Sequence, residues 1–178
     1  MRIISGKYKG RRIQPPSHIA ARPTTDFAKE GLFNLLNNRI DFEGIDVLDL
    51  FAGTGGIGIE FVSRGCRQVT SVEQNDRHTV FIRKACNELK IENLSVFKAD
   101  VFKFLDTCRL RFDLIFADPP YELERLAEIP NLIFSKNILA DDGLLILEHS
   151  TKHNFANHPC FTDHRNYGNV NFSFFEKR

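Results

Sequence analysis

At 178 residues, 42% of them hydrophobic, the chain is long enough to bury the core of one domain. Its start, MRIISGKYKG, scatters charge and lacks a signal-peptide apolar run, and nowhere does the sequence approach the roughly 18 unbroken apolar residues of a membrane span. A soluble, cytoplasmic protein with no membrane partner is expected. Cys66, Cys86, Cys108 and Cys160 are far apart and form no CxxC pair, so neither a zinc site nor a disulfide framework is indicated, and they read as reduced thiols. The net charge of +1 conceals an asymmetry: residues 1–25 carry six cations and no acid, leaving 18 basic against 23 acidic residues, or −5, in the remainder. Such a basic segment suits a polyanion such as nucleic acid, the bland alternative being a solvated terminus.

In chain order, Arg2–Ile4 and Arg11–Gln14 are short β-like pieces around Ser5, Gly6 and Gly10, followed by Pro15 and Pro16, which predicts a small β-hairpin arm over residues 1–24. From Thr25 or Asp26, either able to cap a helix, Ala28, Leu32, Leu35 and Leu36 recur at helical spacing as far as about Asn38. The remainder of a domain spanning 25–178 alternates strands and helices. Strands are predicted over Ile45–Phe51, Gln68–Glu73, Leu94–Lys98, Phe112–Ala117 and Leu144–Glu148. Helices fall over Gly55–Arg64, Asn75–Leu89, Val101–Cys108 and Leu123–Phe134, the last with a break expected at Pro130. This alternation implies an α/β fold with a parallel sheet covered on both faces. Two aromatic runs flank Gly168 and Asn169, which predicts an antiparallel C-terminal hairpin.

The first strand ends in Asp49-Leu50-Phe51-Ala52-Gly53-Thr54-Gly55-Gly56-Ile57-Gly58, placing Gly53, Gly55 and Gly58 at GxGxxG spacing in a strand-to-helix turn. Glycine is needed where the chain turns tightly or its backbone approaches a ligand. Phe51 and Thr54 lie in the same turn and are counted with the cofactor contacts. Glu73 closes the second strand 20 residues after Gly53, where a carboxylate can accept from ribose hydroxyls. A nucleoside-containing cofactor is implied; a nicotinamide dehydrogenase shares this spacing, as does a glycine turn that only packs helix on strand. Asp49 tilts the choice, because a carboxylate before the turn suits the ammonium of a methionyl group better than a pyrophosphate. Asp100 is placed to accept from an adenine amino group while the Val101 backbone meets the ring, and it can cap a helix as well. His149 and His153, at helical spacing, have no evident third ligand and are expected to be surface histidines, so no metal is assigned.

Asp118-Pro119-Pro120-Tyr121 follows the buried strand Phe112–Ala117, and such a tetrapeptide arises by chance about once in 10⁵ positions. In an open parallel sheet it shares a crevice with the glycine turn. A base's exocyclic amine is a poor nucleophile because its lone pair is delocalised into the ring. An Asp118 carboxylate and a Pro119 carbonyl that each take one amine hydrogen would localise that lone pair and aim it at an electrophilic methyl group. Pro119 and Pro120 stiffen the loop, and Tyr121 is placed to stack on the base. The chemistry predicted is therefore S-adenosyl-L-methionine-dependent methylation of a base amine.

These residues resemble the bacterial small-subunit ribosomal RNA guanine-N2 methyltransferases of the RsmD type. Arg2-Ile3-Ile4-Ser5-Gly6-Lys7-Tyr8-Lys9-Gly10-Arg11 is similar to that family's arm, and Arg22-Pro23-Thr24-Thr25-Asp26 with Lys29-Glu30 and Leu32-Phe33 to its second signature; Asp49 to Gly58, Glu73 and Asp118 to Tyr121 complete the set. Lys29 stands where the family commonly has Arg, and Tyr121 replaces an equally common phenylalanine. The resemblance implies a Rossmann-like class I methyltransferase fold with a seven-stranded sheet, a monomer, and methylation of one guanine at N2 in 16S ribosomal RNA within a small-subunit particle. Lys7, Lys9, Arg11, Arg12 and Arg22 are the candidate RNA contacts. A DNA adenine-N6 or cytosine-N4 methyltransferase would share the cleft motif but would need a target-recognition region for which no residues remain. A protein glutamine methyltransferase more often carries Asn at the Asp118 position, and a non-catalytic nucleotide-binding module would not require the tetrapeptide.

Overall fold

The computed structural model describes residues 2–17, 19 and 26–177. Helix α1 (Asp26–Leu36) precedes an alternation of β1 (Asp46–Leu50), α2 (Gly56–Ser63), β2 (Gln68–Glu73), α3 (Asp76–Leu89), β3 (Leu94–Lys98), α4 (Val101–Thr107) and β4 (Phe112–Ala117). A 3₁₀ turn (Leu126–Glu128), α5 (Ile129–Ser135), β5 (Leu139–His149), β6 (Phe161–Tyr167) and β7 (Val170–Glu176) complete it. The seven strands lie in the order β3-β2-β1-β4-β5-β7-β6. β1 to β5 run parallel, and β7 is antiparallel to both β5 and β6.

The central strands are apolar without polar alternation because helices cover both faces of the sheet. Val47, Leu114, Phe116 and Ile146 meet α1, α2 and α3 on one face; Leu48, Leu50, Ile115 and Leu147 meet α4 and α5 on the other. Between β1 and β4 the strand order reverses, so their carboxyl ends open a crevice where ligands bind in such sheets. Asn75 caps α3 by accepting from the Arg77 backbone N–H at 2.9 Å, and Asp100 caps α4 by accepting from that of Lys103 at 3.0 Å. The C-terminal turn has φ 67° at Gly168 and no positive φ at Asn169, the pattern of a two-residue II′ hairpin.

Two expectations change, and the arm gains a contact the sequence did not suggest. Pro130 does not break a long helix: residues 121–125 are turn and loop, and Pro130 sits in the first turn of α5, where its missing N–H costs no helical bond. β5 starts at Leu139 rather than Leu144, its polar Ala140-Asp141-Asp142-Gly143 stretch being absorbed in an irregularity opposite Phe112 and Leu114. The arm turns back on itself in a small antiparallel hairpin, with a bridge from Arg2 to Arg12, the Ile3 N–H donating to the Arg11 carbonyl at 3.0 Å and the Gly10 N–H to the Ile3 carbonyl at 2.9 Å, and its self-pairing stops there. The Ile4 and Ser5 N–H groups instead donate to the Glu60 carboxylate of α2, at 2.8 and 3.1 Å. Ile3 and Ile13 are buried in the same core as α1 and α2. Gly6 makes this docking possible, since a Cβ there would lie 1.7 Å from the Ser63 carbonyl oxygen.

Candidate active site

A cleft of about 680 Å³ opens at the carboxyl ends of β1, β2 and β4. It is lined by Asp49 of β1, by Phe51, Gly53 and Thr54 of the turn after it, by Glu73 at the end of β2, by Asp100 and Val101 at the start of α4, and by Asp118, Pro119, Pro120 and Tyr121 after β4. Two glycines of the motif do not line it. At Gly55 (φ 78°) a Cβ would lie 2.9 Å from Ile82 Cγ1, and at Gly58 one would lie 2.7 Å from Ser71 Oγ and 2.9 Å from Asp49 Oδ2. Both are therefore glycine so that α2 can pack closely on its neighbours; they touch the cleft only through what they position. Phe51 takes φ 61°, a conformation rare for a bulky residue and costing on the order of 1–3 kcal/mol, as backbones at ligand sites often do.

Asp49 is 1% exposed. Burial pushes its carboxyl from the ordinary 3.8 up to about 7, against the pull of the Ser71 hydroxyl, which donates at 3.3 Å, and of the Gly58 backbone, while Glu73 adds a small upward push. A carboxyl so short of internal donors is complementary to an incoming cation. Glu73 is better satisfied: one oxygen accepts from Gly53 N–H and the other from Asn75 N–H, both at 2.8 Å, which fixes the carboxylate at the cleft wall with lone pairs to spare for hydroxyl donors. The Asp118 N–H donates to the Leu50 carbonyl at 3.3 Å, tying the tetrapeptide to the strand that carries the glycine turn.

Tyr121 adds what its sequence position did not reveal. Its hydroxyl donates at 3.0 Å to Oε1 of Glu148, a carboxylate 4% exposed that also lines the cleft. Because Ala117 of β4 pairs with Leu147 of β5, Glu148 and Asp118 follow neighbouring positions at the carboxyl ends of these two adjacent strands. Its signal in the sequence was a lone acid closing the apolar run Leu144–Leu147. Lys29 was likewise missed as a cleft residue: it is buried, its ammonium donates to the Arg2 carbonyl at 2.7 Å, and it lies 3.3 Å from Glu60. Desolvation lowers its pKa, an effect Glu60 offsets in part.

The candidate RNA contacts Lys7, Lys9, Arg11 and Arg12 are exposed on the docked arm, whereas Arg22 lies outside the described residues. His149 is not a surface residue. It is 1% exposed, held between Ser173 Oγ and the Ser150 carbonyl at 2.8 Å each, and burial lowers its pKa. Among the described residues no group of histidine, cysteine and acidic side chains has the arrangement of a metal site, and no helix is long and apolar enough to cross a membrane. Cys66, Cys86 and Cys108 are buried, and burial pushes the first two thiols up to about 12 and about 11, which keeps them unreactive.

Residues 1–176 match the model of the family described as Conserved hypothetical protein 95. The chain belongs to that family. Its relatives include Ribosomal RNA small subunit methyltransferase D of Escherichia coli K12, 32% identical over 160 residues that span 90% of this chain and 80% of the relative. The protein of the same name from Buchnera aphidicola subsp. Baizongia pistaciae is 34% identical over 83% of this chain and 75% of its own length. Among solved structures, the Escherichia coli protein yhhF superposes with a TM-score of 0.88 at 29% identity, over 100% of this chain and 98% of that one. The family is thus the RsmD type, and the seven-stranded sheet with its antiparallel hairpin is the class I methyltransferase fold.

Proposed function

We propose that the chain transfers a methyl group from S-adenosyl-L-methionine to the exocyclic N2 amine of a guanine in 16S ribosomal RNA, acting as a cytoplasmic monomer on a small-subunit particle. The observation that carries this reading is the convergence in one cleft of the buried Asp49, the ribose-ready Glu73 and the Asp118–Tyr121 tetrapeptide. The names of the relatives support ribosomal RNA as the methyl acceptor. The residues present fit the cofactor: Asp49 would take its ammonium, Glu73 its ribose, and Asp100 with the Val101 backbone its adenine. When bound, it supplies an electrophilic sulfonium methyl group. Asp118 and the Pro119 carbonyl accept the two hydrogens of the target amine, which localises the nitrogen lone pair; once the methyl is attached, Asp118 or water takes the released proton. The Glu148 bond anchors the Tyr121 ring at the wall where the base would lie.

The test is incorporation of labelled methyl into ribosomal RNA, DNA and protein by one preparation, with the modified base then identified. Label in DNA or protein and none in RNA would overturn the reading.

Asp49 gives cofactor binding a pH dependence. Between about 4 and about 7 the empty cleft holds this carboxyl protonated, and a bound ammonium favours the ionised form, so binding releases a proton. Affinity should rise with pH from about 5 to about 7, a range below the ordinary titration of an α-amino group at roughly 7.7–8.0. Calorimetry across that range checks it. Asp49→Asn should bind more weakly and with a flat profile, and a flat profile in the unaltered protein would remove Asp49 from the ammonium site.

The arm's cations give binding a salt dependence. Replacing Lys7, Lys9, Arg11 and Arg12 together by Ala should weaken RNA binding and flatten the slope of log affinity against log salt by up to about 3, at about 0.7 per lost phosphate contact. Cofactor affinity, unchanged, controls for folding, since these side chains are exposed and the arm docks through Ile3, Ile13 and its backbone. A slope equal to that of the unaltered protein would mean that RNA is held elsewhere.

A further inference from the structure

Phe27, on the first turn of α1, is 67% exposed, the most exposed large hydrophobic side chain among the described residues. Its neighbours on the same turn explain where it stands. Asp26 and Lys29 line the cleft, so the helix end that carries Phe27 is part of the cleft's rim. Its ring meets that of Tyr167 edge-on, with centroids 6.1 Å apart and planes at 78°. Tyr167 is fixed in turn. Its hydroxyl donates to the Gly31 carbonyl at 3.1 Å, and its ring lies so close to α1 that a Cβ on Gly31 would come within 2.2 Å of Cε1. Tyr167 also pairs across the hairpin with Val170, another cleft residue. The aromatic pair is thus a braced platform continuous with the cleft mouth.

The basic arm is joined to the same helix. Glu30, three residues along α1 and so on the neighbouring helix surface, ion-pairs with Arg2 at 2.7 Å, and the Arg2 backbone pairs with that of Arg12, which ties the arm with its exposed Lys7, Lys9, Arg11 and Arg12 to this helix. An exposed aromatic ring beside a site for a base, with the basic arm tied to the same helix, matches a ligand that offers flat π-faces at short intervals along an anionic backbone. We infer that Phe27 stacks on an unpaired nucleobase next to the target nucleotide in the RNA, with Tyr167 bracing the ring from its edge. This inference rests on the RNA-methylating reading above. Phe27 is then a positioning residue: it holds the strand so that the target base enters the cleft, and it touches neither the cofactor nor the reacting amine.

The experiment measures methyl transfer from labelled S-adenosylmethionine to small-subunit particles taken from cells lacking the protein, using the unaltered protein, Phe27→Ala, Phe27→Leu and Phe27→Tyr. Stacking predicts that Ala and Leu raise KM for the particle from about fivefold to about a hundredfold, the range for loss of one base–aromatic stack, and change kcat less. It predicts that Tyr restores KM to within about twofold and that all variants bind the cofactor alike. If Leu restores KM as well as Tyr does, the contact is a generic apolar one, such as with a ribosomal protein, and the stacking inference is overturned. Unchanged KM in Ala and Leu, alongside normal RNA labelling by the unaltered protein, overturns the inference alone. No RNA labelling by the unaltered protein overturns the underlying reading and the inference with it.

Discussion

Asp118→Ala is expected to lower turnover by at least about 10², the loss typical when one oriented polar group is removed from a transition state, with cofactor affinity little changed. The separation follows from where the side chains lie. The inferred cofactor contacts Asp49, Glu73, Asp100 and Val101 lie at the carboxyl ends of β1 and β2 and at the start of α4, whereas Asp118 follows β4 and is assigned to the target amine. Asp118→Asn should be milder because it keeps one acceptor oxygen, although its amide NH₂ turned toward the amine would repel rather than bind it. The effect should appear in kcat more than in KM, since the bonds to the amine strengthen as its nitrogen becomes tetrahedral. Single-turnover methyl transfer, paired with calorimetric cofactor binding, reads both quantities. Turnover equal to that of the unaltered protein would show that the tetrapeptide is not the clamp on the amine.

Glu60→Ala is expected to destabilise the fold by about 3–5 kcal/mol, a large share of the stability of an ordinary domain. Glu60 is fully buried on α2 and is the acceptor for four donors from three places: the arm's Ile4 and Ser5 N–H groups, Lys29 of α1 at 3.3 Å, and Arg64 at 3.0 Å. The Arg64 guanidinium also lies over the Phe33 ring, 4.4 Å from its centroid, so it cannot swing into water without uncovering an aromatic core. Removing the carboxylate leaves the Ile4 and Ser5 N–H groups without their acceptor and takes from Lys29 and Arg64 their buried counter-charge, although Lys29 keeps its bond to the Arg2 carbonyl and Arg64 its bond to Asn37 Oδ1; that uncompensated charge sets the size of the loss. Glu60→Gln should cost less, since its amide oxygen still accepts while its NH₂ faces a donor. Urea unfolding followed by circular dichroism measures both. A loss under about 1 kcal/mol for Ala would mean that the apolar contacts of Ile3 and Ile13 alone hold the arm in place.

The two substitutions separate what neighbouring residues in the chain determine from what distant ones do. The strand-to-helix turn at Asp49–Gly58, the tetrapeptide after a buried strand, the alternation of strands and helices and the Gly168-Asn169 hairpin were all legible in the sequence by itself. Each depends on hydrophobic period, on glycine and proline geometry, or on spacing over a few residues, and those constraints act locally. Which glycines touch the cleft was not legible. Gly55 and Gly58 face Ile82, Ser71 and Asp49, and only the packed positions of α2, α3 and β2 decide that. Nor was His149, whose helical spacing to His153 suggested a surface pair while it lies at the end of a strand and faces Ser173 of β7. The arm's charge was plain from composition, but its docking through Glu60 spans 55 and 56 residues of chain. Glu148 reaches Tyr121 across 27 residues because β4 and β5 run parallel in one register. No local pattern encodes such pairings. They arise when the sheet closes and burial forces each polar group to find a partner, which only the tertiary structure decides.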